Sequence, residues 1–262
     1  METHMIFETH AHYDDDAFNE DREILLDSMN ENGIGYIVNA CASLESLKET
    51  EELTEKYPFV YGAFGIHPDD AEKMTEDTLQ EIRRLVRLPK AVAIGEIGLD
   101  YYWHKEEQEH VVQKKMFLAQ MEIAREEKMP FMIHSRDAAK DTLDIVKDCM
   151  SGGMYGGIIH CFSYGKEMAR EYLNMGLYLG IGGVVTFKNA KKLKEVVEYA
   201  PLEQLVLETD SPYLSPEPNR GKRNSSLNLP YVAEMLAELK GVSKEEVIAV
   251  TEENAKRLLF RK

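Results

Sequence analysis

The 262-residue chain is 44% hydrophobic and 30% charged, so it can bury a substantial core as one large α/β domain or two small ones. It carries 47 acidic against 31 basic residues, a formal net charge of −16, and such a surface repels polyanions at long range. This balance argues against a broad, sequence-independent clamp on duplex DNA. A phosphate substrate would have to be bound at one place, by a metal ion and by a small basic patch.

No apolar run approaches the roughly 18 residues that a membrane span requires, and no basic, apolar leader opens the chain. We therefore expect a soluble cytoplasmic protein without a membrane partner. Residues 1–4 carry no pattern and are expected to form a frayed end. The three cysteines, Cys41, Cys149 and Cys161, stand at unrelated spacings and predict neither a disulfide framework nor a metal knuckle.

Strand and helix patterns alternate along the whole chain. The predicted strands are 5–7, 36–38, 59–64, 91–94, 131–133, 156–159, 177–181 and 205–208. A first helix ends at Asn32-Gly33, and further helices are predicted at 44–57, 75–86, 106–127, 138–150, 167–174, 190–199, about 229–239 and 244–260. Eight such units without a linker predict one closed (β/α)8 barrel, a TIM barrel, over residues 1–262. The alternative is an open doubly wound sheet, in which the first and eighth strands would not be neighbours.

A first candidate site is the pair His10 and His12, which follows the apolar run of the first strand. Residues two apart in a strand point to the same side, so both imidazoles face one point. Two neutral imidazoles make half of the ligand set of a divalent transition metal. Taken alone, the pair fits two surface histidines equally well, so the other strand ends decide.

Further ligand-type residues stand at the ends of later predicted strands. Glu96 follows the fourth strand, His134 the fifth, His160 the sixth and Asp210 the eighth. Active sites of this fold lie at the C-terminal ends of the strands. We therefore expect six residues to meet there and to supply enough ligands for two divalent ions, with the two oxygens of Glu96 as a bridge: His10, His12, Glu96, His134, His160 and Asp210.

Eight motifs carry a resemblance to a known family. They are E-T-H-A-H (8–12), G-I-H-P (65–68), G-E-I-G-L-D-Y-Y (95–102), H-S-R-D-A (134–138), H-C-F-S (160–163), T-F-K-N (186–189), E-T-D-S-P-Y-L (208–214) and R-G-K-R-N (220–224). The sequence resembles the TatD family of metal-dependent hydrolases from Phe7 to Phe260. The resemblance implies a TIM barrel, a two-metal site and phosphodiester hydrolysis, as a deoxyribonuclease or 3′–5′ exonuclease.

The resemblance also implies how the ions are shared. It assigns one ion to His10, His12, Glu96 and Asp210, and the second to Glu96, His134 and His160. The mixed histidine and carboxylate ligands suit Zn²⁺, Mn²⁺ or Fe²⁺, whereas the family's usual description as magnesium-dependent favours Mg²⁺.

Two positions depart from the family pattern. Glu8 stands where aspartate is usual and is expected to keep a carboxylate beside the histidines. Tyr164 follows H-C-F-S where a small residue is usual, and we expect it to reshape the rim of the pocket. Both departures leave the substrate preference open.

Catalytic roles follow from the residue types. A bound divalent ion lowers the pKa of water and polarises a phosphoryl oxygen. Asp210 is a candidate general base because its second oxygen can stay free, although simple ligation explains it nearly as well. Glu96 is the second candidate catalytic residue, through its bridging position, and Glu208, two residues before Asp210, is interpreted as a structural partner.

Candidate substrate contacts lie near the same strand ends. His67 ends the third strand and can contact a phosphate or the leaving group, or merely cap a turn. Arg136 lies two residues after His134 and fits a phosphate contact or a loop salt bridge. A basic cluster in the loop after the eighth strand is either a phosphate contact or a solvated loop: Arg220, Lys222 and Arg223. The aromatic run Tyr101-Tyr102-Trp103 fits base stacking and loop packing equally.

The leading prediction is a metal-dependent phosphodiesterase acting on nucleic-acid ends, above all on single-stranded DNA. A second enzyme class is an amidohydrolase that cleaves a C–N or ester bond, for example a D-aminoacyl-tRNA deacylase, because the same barrel and metals activate water for either bond. A metal-binding scaffold is the non-enzymatic alternative. The metal identity, the choice between DNA and RNA and the oligomeric state stay open.

Overall fold

The computed structural model describes residues 4–260. Its strands are β1 (Ile6–Ala11), β2 (Ile34–Ala40), β3 (Val60–Ala63), β4 (Ala91–Asp100), β5 (Phe131–Arg136), β6 (Gly157–Ile159), β7 (Tyr178–Ile181) and β8 (Leu205–Leu207). The α-helices of the described part are α1 (Arg22–Asp27), α2 (Leu44–Lys56), α3 (Glu76–Leu85), α4 (Glu107–Glu126), α5 (Ala139–Ser151), α6 (Lys166–Asn174), α7 (Lys191–Tyr199), α8 (Leu229–Lys240) and α9 (Lys244–Leu259).

The eight parallel strands pair in sequence order, and the last returns to the first. A parallel bridge joins Ala11 to Ser211. The His12 amide donates to the Ser211 carbonyl at 2.8 Å, and the Asp210 amide donates to the His10 carbonyl at 3.0 Å. The predicted (β/α)8 barrel is therefore confirmed, and the open doubly wound sheet is excluded.

Glu8 holds the seam between β1 and β8 together. Its buried carboxyl group accepts hydrogen bonds from the Thr209 amide at 2.9 Å and from the His10 amide at 3.1 Å, and pairs with the Thr209 hydroxyl at 2.6 Å and the Ser226 hydroxyl at 3.0 Å. Burial raises the pKa of Glu8 to about 8. The contact of Glu8 with the histidine pair is with the His10 main-chain amide, so the bonds described here fix the seam and do not orient an imidazole ring.

The N-terminal end of the barrel is filled by aromatic rings. Phe260, directly after α9, lies 5.5 Å from Phe7, 5.6 Å from Tyr36 and 4.7 Å from Tyr61, measured between ring centroids. Because this end of the barrel is apolar, the polar side chains lie at the other end, where the strands have their C-termini.

Side chains cap the N-terminal ends of several described helices. Ser43 and Thr75 form reciprocal capping boxes at the starts of α2 and α3. The Ser243 hydroxyl accepts from the Glu246 amide at 3.1 Å at the start of α9. Each cap satisfies amide groups that the first helical turn leaves without a carbonyl.

Four strands are longer than predicted: β1, β2, β4 and β5. The structure extends β4 from Ile94 to Asp100 and β5 from Ile133 to Arg136, so Glu96 and His134 lie within strands and do not follow them. The cause is Gly98, which pairs with His134 at a φ of +147°. A Cβ atom there would lie 1.9 Å from the His134 carbonyl oxygen, so only glycine permits this approach.

The predicted frayed end at 1–4 falls partly outside the described residues. Residues 1–3 are not described, whereas the His4 ring lies 2.8 Å from a carboxylate oxygen of Glu252 in α9. Among the described helices, none combines the length and the apolar character that a membrane crossing would need.

Replacing Gly98 with alanine should break the pairing of β4 with β5 at His134. We expect Gly98→Ala to lower the free energy of unfolding by about 3 kcal/mol or more, because the new methyl group meets backbone and the φ value is unfavourable. The control is Gly165→Ala at the start of α6, where φ is −86° and the new Cβ has ordinary contacts; it should cost less than about 1 kcal/mol. Equal urea midpoints for the two variants would contradict this role.

Candidate metal centre

Glu96 lies at the middle of the polar cluster, and its two oxygens face different partners. Oε2 lies 3.3 Å from His10 Nε2 and 3.6 Å from His12 Nε2. Oε1 lies 2.9 Å from His134 Nδ1 and 3.6 Å from His160 Nε2. A single buried carboxylate therefore connects two sets of imidazoles.

Asp210 completes the cluster from the end of β8. Its Oδ1 atom lies 3.3 Å from His12 Nε2 and 3.5 Å from His160 Nε2. The φ of Asp210 is +59°, a left-handed conformation that non-glycine residues adopt rarely and often at functional sites. The His10 and His160 rings stack at 3.4 Å between centroids, so all six predicted ligands lie together.

The structure brings certain donor atoms close enough together to bind one ion. These groups differ in part from the division of ligands between two ions that the resemblance implies. His10, His12 and Glu96 form one set and His10, His160 and Asp210 another. A third consists of His67, Glu96 and His134. His160 Nε2 thus lies between the carboxylates of Glu96 and Asp210. His67, which was predicted to contact substrate, also lies close to the donor atoms of Glu96 and His134.

Hydrogen bonds orient the imidazole rings. His12 Nδ1 lies 2.8 Å from the Ala40 carbonyl oxygen and donates a hydrogen bond to it. Nε2 is therefore the nitrogen of this ring that faces the centre and can bind a metal. His134 Nε2 lies 3.1 Å from Asp100 Oδ2, which leaves Nδ1 facing Glu96. Such outer partners fix ring orientation and raise the basicity of the ligating nitrogen.

Glu208 and Tyr164 support the neighbouring strand ends. Glu208 Oε1 lies 3.1 Å from His160 Nδ1, in agreement with its interpretation as a structural partner. The Tyr164 hydroxyl lies 2.9 Å from the Ser135 hydroxyl and 3.0 Å from the Ser135 carbonyl oxygen. This tyrosine therefore ties the loop after β6 to the residue that follows His134.

Asp100 is the residue that the sequence analysis missed. The signal was present, because residues 96, 98 and 100 alternate along one strand and stand in the G-E-I-G-L-D motif. Ending β4 at Ile94 concealed this alternation. In the structure Asp100 is buried and contacts a predicted ligand.

The cluster fits divalent cations. His12 Nε2 lies 3.3 Å from His10 Nε2, and both atoms face the Glu96 carboxylate. His10 Nδ1 on the far side is buried without a hydrogen-bond partner among the described residues. A cation between these atoms would bind to both rings and to the charged carboxylate. Imidazole nitrogen with carboxylate oxygen is the donor set of Zn²⁺, Mn²⁺ or Fe²⁺.

The electrostatics of the cluster favour charged carboxylates. Burial alone would raise the pKa of Glu96, but His160, His10 and His134 outweigh it and hold that pKa well below its usual value. The pKa of Asp210 is likewise lowered, by His160 and His12 against the effect of burial. Both groups therefore keep the negative charge that a cation requires.

The predicted substrate contacts lie at varying distances from this centre. His67 Nε2 lies 4.0 Å from Glu96 Oε1, and the His67 ring packs edge-on against His134. The exposed Arg136 guanidinium lies over the Tyr102 ring at 4.0 Å. His67 is thus part of the cluster, whereas Arg136 stands at its rim.

The basic cluster after β8 is divided. Arg220 is exposed and its guanidinium lies 4.3 Å from the Phe187 ring centroid, and Lys222 is exposed beside it. Arg223 instead forms two hydrogen bonds to the Asp21 carboxylate, at 2.7 and 2.6 Å. Its charge is therefore already paired, and a phosphate contact by Arg223 would have to displace Asp21.

A TIM barrel whose strand ends bring together histidines and carboxylates in this way defines a metal-dependent hydrolase. The family model described as TatD related DNase matches residues 7–260. The chain belongs to the TatD family of metal-dependent hydrolases.

Relatives and solved structures agree with this membership. The chain is 44% identical over 254 residues to the uncharacterized metal-dependent hydrolase YabD of Bacillus subtilis, covering 97% of this chain and 98% of YabD. It is 33% identical over 235 residues to a Citrobacter rodentium protein named 3′-5′ ssDNA/RNA exonuclease TatD, covering 86% and 87%. The structure of YJJV, a TatD homologue of Escherichia coli K12, matches with a TM-score of 0.90 and 27% identity over 98% of both chains.

Loss of the Asp100 carboxylate should weaken metal binding at His134. We expect Asp100→Asn to reduce the affinity of the weaker-bound ion by about 10- to 100-fold, because His134 loses the acceptor that fixes its ring. The matched control is Asp141→Asn, since Asp141 contacts Tyr101 and Lys114 and none of the six predicted ligands. Competition with a chromophoric chelator measures both, and equal affinities would contradict the assignment.

Proposed function

We propose that this protein is a two-metal phosphodiesterase that removes nucleotides from the 3′ ends of single-stranded nucleic acid, with DNA as the expected substrate. The observation that carries the proposal is the Glu96 carboxylate, whose oxygens face His10 and His12 on one side and His134 and His160 on the other. A bridging carboxylate is the arrangement expected where two ions clamp the attacking and leaving oxygens of one phosphate.

The family supports the reaction class. The matching family is described as a DNase, and one relative at 33% identity is named as a 3′-5′ exonuclease of single-stranded DNA and RNA. The chain keeps all six ligand-type residues at the strand ends, which a non-catalytic scaffold would not need.

The chain's own residues define the roles within the site. His10, His12, Glu96 and Asp210 would hold one ion, and Glu96 and His134 the other, with His160 between them. Bound ions would lower the pKa of water and polarise the scissile phosphate. Asp210 takes up the proton of the attacking water, because its side chain keeps 19% of its surface exposed whereas Glu96 keeps 4%.

His67 lies beside Glu96 and His134 in the same centre. The Asp69 amide donates to its Nδ1 atom at 3.2 Å, which directs Nε2 toward Glu96 and the substrate side. We assign it a contact with the leaving-group oxygen or a neighbouring phosphate oxygen.

The charge of the chain restricts the substrate to a few contacts. A surface with a net charge of −16 repels phosphates that lie far from the centre. Arg220 and Lys222 supply local positive charge in the loop after β8, and Arg136 supplies it at the end of β5. This distribution favours binding at a strand end over binding along a duplex.

Removal of the bridging charge should remove an ion. We expect Glu96→Gln to lower the bound metal from two equivalents to one and to reduce phosphodiesterase activity by about 100-fold or more, because the neutral amide cannot neutralise two cations. Elemental analysis after dialysis measures the stoichiometry. The control is Glu107→Gln, an exposed carboxylate of α4. Two retained equivalents in Glu96→Gln would refute the bridge.

Cleavage should begin at ends. We expect metal-loaded protein to degrade a linear single-stranded oligonucleotide from its 3′ end and to leave a covalently closed circle of the same sequence intact, with activity lost on chelation and restored by Mn²⁺, Zn²⁺ or Mg²⁺. Because few phosphates are contacted, the salt slope of log affinity should be only about 2–4. Efficient cutting of the circle would refute the end-directed reaction, and preference for an amide or carboxylic ester substrate would favour an amidohydrolase instead.

A further inference from the structure

The loop after β4 exposes two aromatic side chains beside the metal centre. Trp103 keeps 65% of its surface exposed and Tyr102 keeps 42%, and we call this pair the aromatic platform. Tyr101, the first residue of the same run, behaves differently: its ring stacks on His110 at 3.6 Å and its hydroxyl donates to Asp141 at 2.9 Å. Loop packing thus accounts for Tyr101 and leaves the platform unexplained.

The platform is held in place by its backbone. Asp100 Oδ1 accepts from the Tyr102 amide at 2.9 Å and from the Trp103 amide at 3.0 Å. On the other side, His104 lies 2.9 Å from Asp69 and 3.0 Å from Glu109. A surface fixed at both ends loses little conformational entropy when a ligand binds.

One carboxylate connects the platform to the metal centre. The Oδ2 atom of Asp100 contacts His134, while Oδ1 of the same residue holds the platform. His104 similarly joins the platform to Asp69, which lies two residues after His67. The backbone amides of the platform therefore lie one carboxylate away from a predicted metal ligand.

The charges around the platform complement a nucleotide. Arg136 lies 4.0 Å from the Tyr102 ring centroid and 5.6 Å from that of Trp103, and Lys105 Nζ lies 5.1 Å from the Tyr102 ring. Two cations therefore lie beside the exposed Tyr102 ring. Aromatic faces with adjacent positive charge are the features by which proteins bind unpaired bases and their phosphates.

We propose that the aromatic platform is a nucleobase subsite, in which Trp103 stacks on an unpaired base next to the scissile phosphate while Arg136 contacts the adjoining backbone. This inference rests on the proposed function and names the feature of the substrate that the site recognises. Because stacking needs only a flat base, the subsite tolerates all sequences but requires a single strand.

The test uses the fact that Trp103 is the only tryptophan of the chain. Metal-loaded protein is titrated with a short oligothymidylate whose 3′-terminal linkage is a phosphorothioate, and with an otherwise identical strand that lacks its last two bases. We expect the complete strand to quench the tryptophan fluorescence and to bind about 5- to 150-fold more tightly than the abasic strand.

Variants separate stacking from general binding. Trp103→Ala should lose the preference for the complete strand and raise KM far more than it lowers kcat, whereas Trp103→Phe should keep most of the preference. Affinity of these variants is read by anisotropy of a labelled strand. The control is Tyr155→Ala, which removes a 47%-exposed aromatic ring just before β6, at the opposite end of the barrel, and should bind both strands as the unaltered protein does.

Failure of the inference differs from failure of the proposed function. If the protein degrades oligonucleotides but binds complete and abasic strands equally, or if Trp103→Ala retains the preference, the subsite is refuted and the phosphodiesterase stands. If the protein neither binds nor cleaves any oligonucleotide, both proposals fall.

Discussion

Closure of the barrel between β1 and β8 is the constraint on which the site depends. His10 and His12 end the first strand and Asp210 follows the last, some 200 residues later, so no local preference brings them together. Glu8 supplies the bonds that hold this seam, through Thr209 and Ser226. These bonds are buried, and a buried polar group is costly to leave without a partner, so the seam position is strongly specified.

Around Glu96 the polar residues form an inner set of predicted ligands and an outer set of groups that contact them. The other five predicted ligands lie around its carboxylate, and Asp100, Glu208 and the Ala40 carbonyl lie next to the rings of His134, His160 and His12. Asp100 belongs to the outer set because it contacts His134, and it also binds the backbone of the aromatic platform. A change at this carboxylate would therefore reach both metal binding and substrate contact, which makes it the most informative single residue outside the ligand set.

Much of this arrangement was predictable because parallel barrels place every strand end on one face. The six predicted ligands, which the structure brings together, were proposed from residue type and position alone. The errors arose where backbone geometry departs from the average. Gly98 allows β4 to continue to Asp100, and no propensity predicts a strand through two glycines. The same error hid Asp100 and its contact with His134.

The sequence by itself determined the alternation of strands and helices, the barrel, the family and which polar residues stand near the strand ends, because these depend on periodicity and on motifs that are local in the chain. Only the tertiary structure decided which groups face each other. In the structure Glu8 bonds across the seam between β1 and β8, and Arg223 pairs with Asp21. Tyr101 packs on His110, whereas Trp103 is exposed. Such outcomes depend on distances between atoms far apart in the chain, and these distances exist only once the barrel has closed.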